Sequence, residues 1–141
     1  WRLAADQAAE AHHRIELSAL RGVTCRDRQL ERTWYFDDGD GIVAVVRGNC
    51  RLARRMVDRL SSERGILILN DVVLNQVLVR FTDDETTSRV IAAVQAEGTC
   101  WAGGAVWQNK RAMRISVSNW STTEADIDRS ADAIVNCFRA S

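Results

Sequence analysis

Ile42, Val45, Val46, Leu52, Met56 and Leu60 recur close to the helical period and predict a helix over about 42 to 63. Gly48 and Asn49 weaken its middle, and Gly65 ends it. Ile66 to Leu69 is a short apolar run, and Val72 to Phe81 is rich in β-branched residues, so two strands follow. Asn70-Asp71 between them reads as a two-residue turn, which makes the pair an antiparallel hairpin. Thr82-Asp83-Asp84-Glu85 has the spacing of a capping box at the start of a second helix. Val90, Ile91 and Val94 give that helix its core side, and Gly98 supplies a left-handed stop. Cys100 to Trp107 reads as extended, with Gly103-Gly104 breaking or bending it. Residues 113 to 118 alternate strictly. Met113, Ile115 and Val117 share one face, and Arg114, Ser116 and Ser118 share the other. Ser121-Thr122-Thr123-Glu124 reads as another capping box. Its helix places Ile127, Ala131, Ile134, Val135 and Phe138 on one face and runs to the end of the chain.

The order from residue 42 is helix, strand, strand, helix, strand, strand, helix. The short links between strands favour an α+β, two-layer unit: a mostly antiparallel sheet of three or four strands with helices on one face. Residues 3 to 21 also read as a helix, with a weak stripe of Leu3, Ala8, Ile15 and Ala19. Residues 22 to 40 read as irregular and charged, with Trp34-Tyr35-Phe36 ahead of an acidic turn. The expected division is therefore an N-terminal segment, 1 to 39, and a layered unit, 40 to 141.

Composition narrows the function classes. Apolar residues make up 46% and charged residues 27%, which suits a globular domain. Lys plus Arg and Asp plus Glu each number 19, so no net charge draws the chain to nucleic acid or an anionic membrane. No apolar run reaches the roughly 20 residues that span a bilayer. Cys25, Cys50, Cys100 and Cys137 are scattered without a CxxC pair, so they read as reduced thiols in a cytoplasmic protein. The chain starts at Trp1 and contains no proline, and we expect it to be a piece of something larger.

Several candidate chemistries fall to plainer readings. His12 and His13 are adjacent, so on a helix they point about 100° apart and chelate poorly. Asp37, Asp38 and Asp40 lack the ligand spacing of a calcium loop. Cys100 has no histidine near it in sequence and reads as a structural thiol. Arg47, Arg51, Arg54, Arg55 and Arg59 read as a solvated helix face. Trp101, Trp107 and Trp120 read as packing residues, with pocket lining as the alternative.

Four segments, taken together, resemble a known family. They are Cys50-Arg-Leu-Ala-Arg-Arg-Met56, Leu69-Asn-Asp-Val-Val-Leu-Asn-Gln-Val-Leu-Val-Arg-Phe81, Ala96-Glu-Gly-Thr-Cys-Trp101 and Met113-Arg-Ile-Ser-Val-Ser-Asn-Trp120. In that order they resemble the small C-terminal domain of the group II pyridoxal-phosphate (PLP) dependent amino-acid decarboxylases, of the aspartate-aminotransferase-like fold. The resemblance covers roughly residues 40 to 140. It implies that Arg114 binds the α-carboxylate of an amino-acid substrate, with Ser116 and Trp107 as further candidates. A guanidinium offers a planar fork of donors to both carboxylate oxygens.

The same resemblance assigns the Schiff-base lysine and the other PLP contacts to a preceding large domain. Lys110 is the only lysine here, and its segment, Gln108-Asn109-Lys110-Arg111, reads as an exposed polar loop. The expected protein is thus a decarboxylase C-terminal domain with no catalytic or PLP-binding residue of its own and inactive alone. Its expected partners are a missing large domain and a second copy, bound through residues 1 to 40. The alternative is a free-standing, non-enzymatic binding or self-association module.

Overall fold

The computed structural model describes the backbone of residues 24–26, 33–35 and 39–141, and side chains from residue 43 onward. The chain divides into two compact units, Trp1–Val45 and Val46–Ser141. In the first unit, β1 (Thr24–Arg26) pairs antiparallel with β2 (Thr33–Tyr35), with Cys25 opposite Trp34. This stretch was expected to be irregular. Thr, Cys, Trp and Tyr have the shapes that suit a pleated strand, and their β-propensity outweighs the charged residues between them. The helix expected over 3 to 21 lies outside the described residues.

Helix α1 (Gly39–Ser61) starts three residues before the expected position and passes through Gly48 without interruption. Leu52, Ala53, Met56 and Leu60 form its buried stripe. Then come β3 (Leu67–Ile68), β4 (Gln76–Arg80), α2 (Asp84–Glu97), β5 (Gly103–Trp107), β6 (Lys110–Ser116) and α3 (Glu124–Arg139). The strands form one antiparallel sheet in the order β3-β4-β6-β5. Val77, Val79, Phe81, Met113, Ile115 and Val117 point from this sheet into the core, where Val90, Val94, Ile127 and Ile134 of α2 and α3 meet them. The two-layer α/β arrangement expected from the sequence is the one observed.

Local departures from expectation have identifiable causes. The β3–β4 link is longer than two residues, because Val72 to Asn75 leave the ladder. The Asn70 side chain fills the gap: its Oδ1 accepts from Leu78 N–H at 2.7 Å and its Nδ2 donates to the Gln76 carbonyl at 3.1 Å. The N-cap of α2 is Asp83, whose carboxylate accepts from Thr86 N–H at 2.7 Å. The expected cap, Thr82, is displaced by a stronger capping residue. Gly98 ends α2 at φ 85°, as expected. Gly103 and Gly104 open β5 instead of breaking it, and Lys110 begins β6 instead of lying in a loop. The second capping box sits two residues later than expected. Thr123 Oγ1 accepts from Asp126 N–H, and Asp126 accepts from Thr123 N–H at 2.8 Å. Ser121 is held by Asn119 Oδ1 in a local turn instead.

Helices α1 and α3 are also joined by ion pairs. Arg55 binds Asp128 through two nitrogens, at 2.9 and 2.7 Å, and Glu124 at 3.1 Å. Arg59 reaches Asp132, and Arg139 reaches Glu63 at 2.5 Å. These groups are partly exposed, so each pair contributes modest stability and mainly fixes the register of the two helices.

Thr87 is fully buried and ties β4 to α2. Its hydroxyl donates to the Asp83 carbonyl at 2.7 Å and accepts from Phe81 N–H at 3.2 Å. Thr87→Val preserves shape but leaves that buried N–H without a partner. Urea unfolding is expected to show a loss of about 1–3 kcal/mol.

Five carboxyls are held below their ordinary range. The cause is the Thr86 N–H for Asp83, Arg80 and then the Arg111 N–H for Asp84, Thr99 for Glu97, Thr123 for Asp126, and Arg55 for Asp128. A depressed folded value means that folding favours the ionised form. That stability is complete above the unfolded carboxyl value of about 4 and is lost as pH falls through the folded values. The urea midpoint should therefore fall on acidification below about pH 4. In Asp83→Asn, which keeps a capping oxygen, the fall should be shallower. A midpoint that stays level or rises on acidification contradicts this.

Candidate functional site: the open face of strand β6

Strand β6 separates the core from the candidate site. Met113 is fully buried and Ile115 and Val117 nearly so, whereas Arg114, Ser116 and Ser118 between them are exposed. Period-2 alternation places the polar set on the sheet face away from the helices. Arg114 stands opposite Leu78 of β4 on one side and Gly103 of β5 on the other. Ser116 stands opposite Gln76. Gly103 has no side chain, and a Cβ built there would meet nothing within 4 Å. One flank of Arg114 is therefore open.

The Arg114 side chain has no hydrogen bond or ion pair among the described residues. The nearby arginines differ. Arg80 is paired with Asp84, and the Arg111 guanidinium lies over Gly104, close enough that a Cβ on Gly104 would meet its Nη2 at 2.8 Å. An unpaired guanidinium on an open sheet face can receive a planar oxyanion through two parallel N–H bonds.

The three candidate residues are not brought together equally. Arg114 and Ser116 are alternate residues of one strand and share the open face. Trp107 is on the same face but opposite Lys110, four positions from the Gly103–Arg114 pair, or about 13 Å along the strand. Lys110 is exposed at that far end.

A second feature is a cleft of about 450 Å³ where β6 leaves the sheet. Met56, Ile115, Ile127, Ile134, Cys100 and Trp101 are among the residues that line it. Burial pushes the Cys100 thiol up, against a weaker opposing hydrogen bond from Ser130. Burial raises the Cys137 thiol as well. A raised thiol holds its proton, so Cys100 is not an activated nucleophile. This cleft was not legible in the sequence, because residues from α1, α3, β6 and the segment before β5 line it.

The expectation that Trp101, Trp107 and Trp120 pack the sheet is corrected: they are 75%, 42% and 47% exposed. Trp107 lies on the sheet face away from the helices, and Trp101 and Trp120 lie in the segments that flank β5 and β6. Among the described residues, no group of three or more His, Cys, Asp or Glu is arranged to hold a metal. His12, His13, Asp37 and Asp38 lie outside them. No described helix is long and apolar enough to cross a membrane.

No protein-family model and no curated protein sequence matches the chain. Solved structures do match. Tryptophan decarboxylase from Catharanthus roseus, in complex with L-tryptophan, is similar at a TM-score of 0.65 and 14% identity. That likeness covers 69% of this chain and 22% of that one. The Oryza sativa enzyme with PLP and tryptamine is similar at a TM-score of 0.65 and 12% identity, covering 69% of this chain and 23% of that one. The glutamate decarboxylase domain of a Vibrio parahaemolyticus transaminase–decarboxylase is similar at 0.59 and 18%, covering 73% and 22%. These structural neighbours are group II PLP-dependent decarboxylases, the family the sequence resembles. At such identities the likeness is one of fold. The chain spans less than a quarter of the length of the neighbours it matches.

Proposed function

We propose that this chain is the C-terminal domain of a PLP-dependent amino-acid decarboxylase or a truncated homologue of one, and that Arg114 binds the substrate carboxylate. The observation that carries this reading is Arg114 itself: exposed at the centre of the sheet's open face, unpaired among the described residues, and flanked by Gly103. A buried core on one side of β6 fixes the backbone from which the guanidinium projects, and Ser116 offers a hydroxyl on the same face.

The described residues do not fit PLP. The cofactor supplies electron withdrawal from the carbon that loses CO2, and it requires a desolvated lysine held against it. Lys110 is exposed and about 13 Å along the strand from Arg114. In this reading the cofactor site belongs to a missing large domain, and the chain alone is not catalytic. The contribution of this chain is binding and orientation: Arg114 fixes the carboxylate and so sets the direction of the rest of the amino acid. A homodimer also belongs to the reading. Its expected contact, residues 1 to 40, lies outside the described side chains.

The reading is tested by titrating guanidinium-labelled chain with an L-amino acid and with the amine that lacks its carboxylate. The amino acid is expected to shift the Arg114 Nε resonance with millimolar affinity, and Arg114→Ala should abolish the effect. Equal shifts from the amine, or none at Arg114, overturn the assignment.

A further inference from the structure

Strand β5 is an edge strand and, among the described residues, pairs on one side only, with β6. Its sequence, Gly103-Gly104-Ala105-Val106-Trp107, carries no charge and no proline. Those are the residues by which sheet edges usually resist pairing with another chain. Val106 is 68% exposed.

The direction of its free backbone groups follows from the turn. Gln108 and Asn109 both have positive φ, 49° and 62°, so the two-residue β5–β6 link is of type I′. Such a turn closes on a hydrogen-bonded pair, here Trp107 with Lys110. Antiparallel alternation then makes Ala105–Ala112 and Gly103–Arg114 the next hydrogen-bonded pairs. The backbone N–H and C=O groups of Gly104 and Val106 consequently point away from β6, at the free edge.

We infer that β5 pairs antiparallel with β5 of a second copy of this chain, about a two-fold axis at Ala105, which places the partner's Trp107 over Gly103 beside Arg114. In this register Gly104 meets Val106 of the partner subunit, and each of the two such pairs exchanges both backbone bonds. Every outward-pointing group of β5 is thereby satisfied. Ala105 meets its own copy across the axis, where two methyl groups fit. Gly103 meets the partner's Trp107, and the open space above Gly103 receives the indole. An aromatic ring laid over a cross-strand glycine restores the packing that the glycine lacks.

The pairing is self-complementary, as an isologous two-fold contact requires. It also supplies the candidate site with an aromatic wall. The chain's own Trp107 is too far along the strand to reach Arg114. The partner's Trp107 lies two strand spacings away, about 10 Å at the backbone, with its ring reaching back across Gly103. Arg114 then has an indole at its flank, suited to a cation–π contact and to excluding water from a bound carboxylate. The strand pairing stands on β5 alone; only the wall's role in binding rests on the carboxylate reading of Arg114.

A five-residue strand is a small interface, so self-association should be weak, with a dissociation constant of roughly 10–500 μM. Sedimentation of the full chain over that range should show a monomer–dimer equilibrium. Val106→Pro removes an outward N–H without touching the bonds to β6, and is expected to leave a folded chain that has lost the β5 contact and associates more weakly than the parent, any association through residues 1 to 40 being unaffected. Trp107→Ala should weaken the dimer about tenfold. Ala105→Cys, oxidised with glutathione disulfide, should form a disulfide between the two copies, located by peptide mapping at position 105 in both. A chain that stays monomeric at about 1 mM overturns the inference, as does Val106→Pro dimerising like the parent. An Ala105→Cys variant that dimerises without a disulfide joining the two substituted positions overturns it too, and decides the matter if Val106→Pro does not fold. If β5 pairs as described but Arg114 binds no carboxylate, the site reading fails and the pairing stands.

Discussion

Burial of one face of β6 is the constraint on which the rest of the structure depends. Met113, Ile115 and Val117 are taken from water by α2, α3 and the stripe of α1, and the pleat then forces Arg114 and Ser116 to the opposite side. A slip of one residue would drive the guanidinium into the core and expose Met113. The hydrophobic effect that stabilises the sheet therefore also sets the position of the Arg114 cation. Contacts around this layer keep the register fixed. Thr87 locks the end of β4 to the start of α2, Asn70 stands in for a missing strand residue, and the Arg55–Asp128 pair aligns α1 with α3.

Among the described residues the helices cover one face only, so the sheet presents two kinds of unfinished surface. The open face carries Arg114, Ser116 and Leu78, and the β5 edge carries free backbone groups. The glycines link the two surfaces. Gly103 leaves Arg114 accessible and also leaves space at the edge for a side chain from elsewhere.

Much of this was legible in the sequence, and the misses have physical reasons. Strict alternation over residues 113 to 118 announced both faces of β6, because period 2 has a single structural solution. Gly98 announced its left-handed cap for a similar reason. The caps at 83 and 123 were misplaced by one and two residues, because neighbouring Ser, Thr and Asp compete for the same N–H groups. The tightness of the β5–β6 link was missed, because Gln108-Asn109 adopts a turn that usually announces itself with glycine. The terminal cleft was invisible in principle: Met56 and Ile134 share its wall only after the helices have packed. Trp101, Trp107 and Trp120 were read as packing residues, with pocket lining as the alternative, on residue type alone; type does not say which sheet face the helices cover, and Trp101 lines the cleft.

The central claim is that burial of one face of β6 sets its register and leaves Arg114 on the other face with no structural role. Comparing the unfolding free energies of Met113→Ala and Arg114→Ala tests it most directly. Met113 is fully buried, so its truncation should cost about 2–5 kcal/mol. Arg114 is exposed and unpaired among the described residues, so its loss should change stability by no more than about 0.5 kcal/mol. A loss at Arg114 comparable to that at Met113 would make the arginine a structural residue and contradict the account.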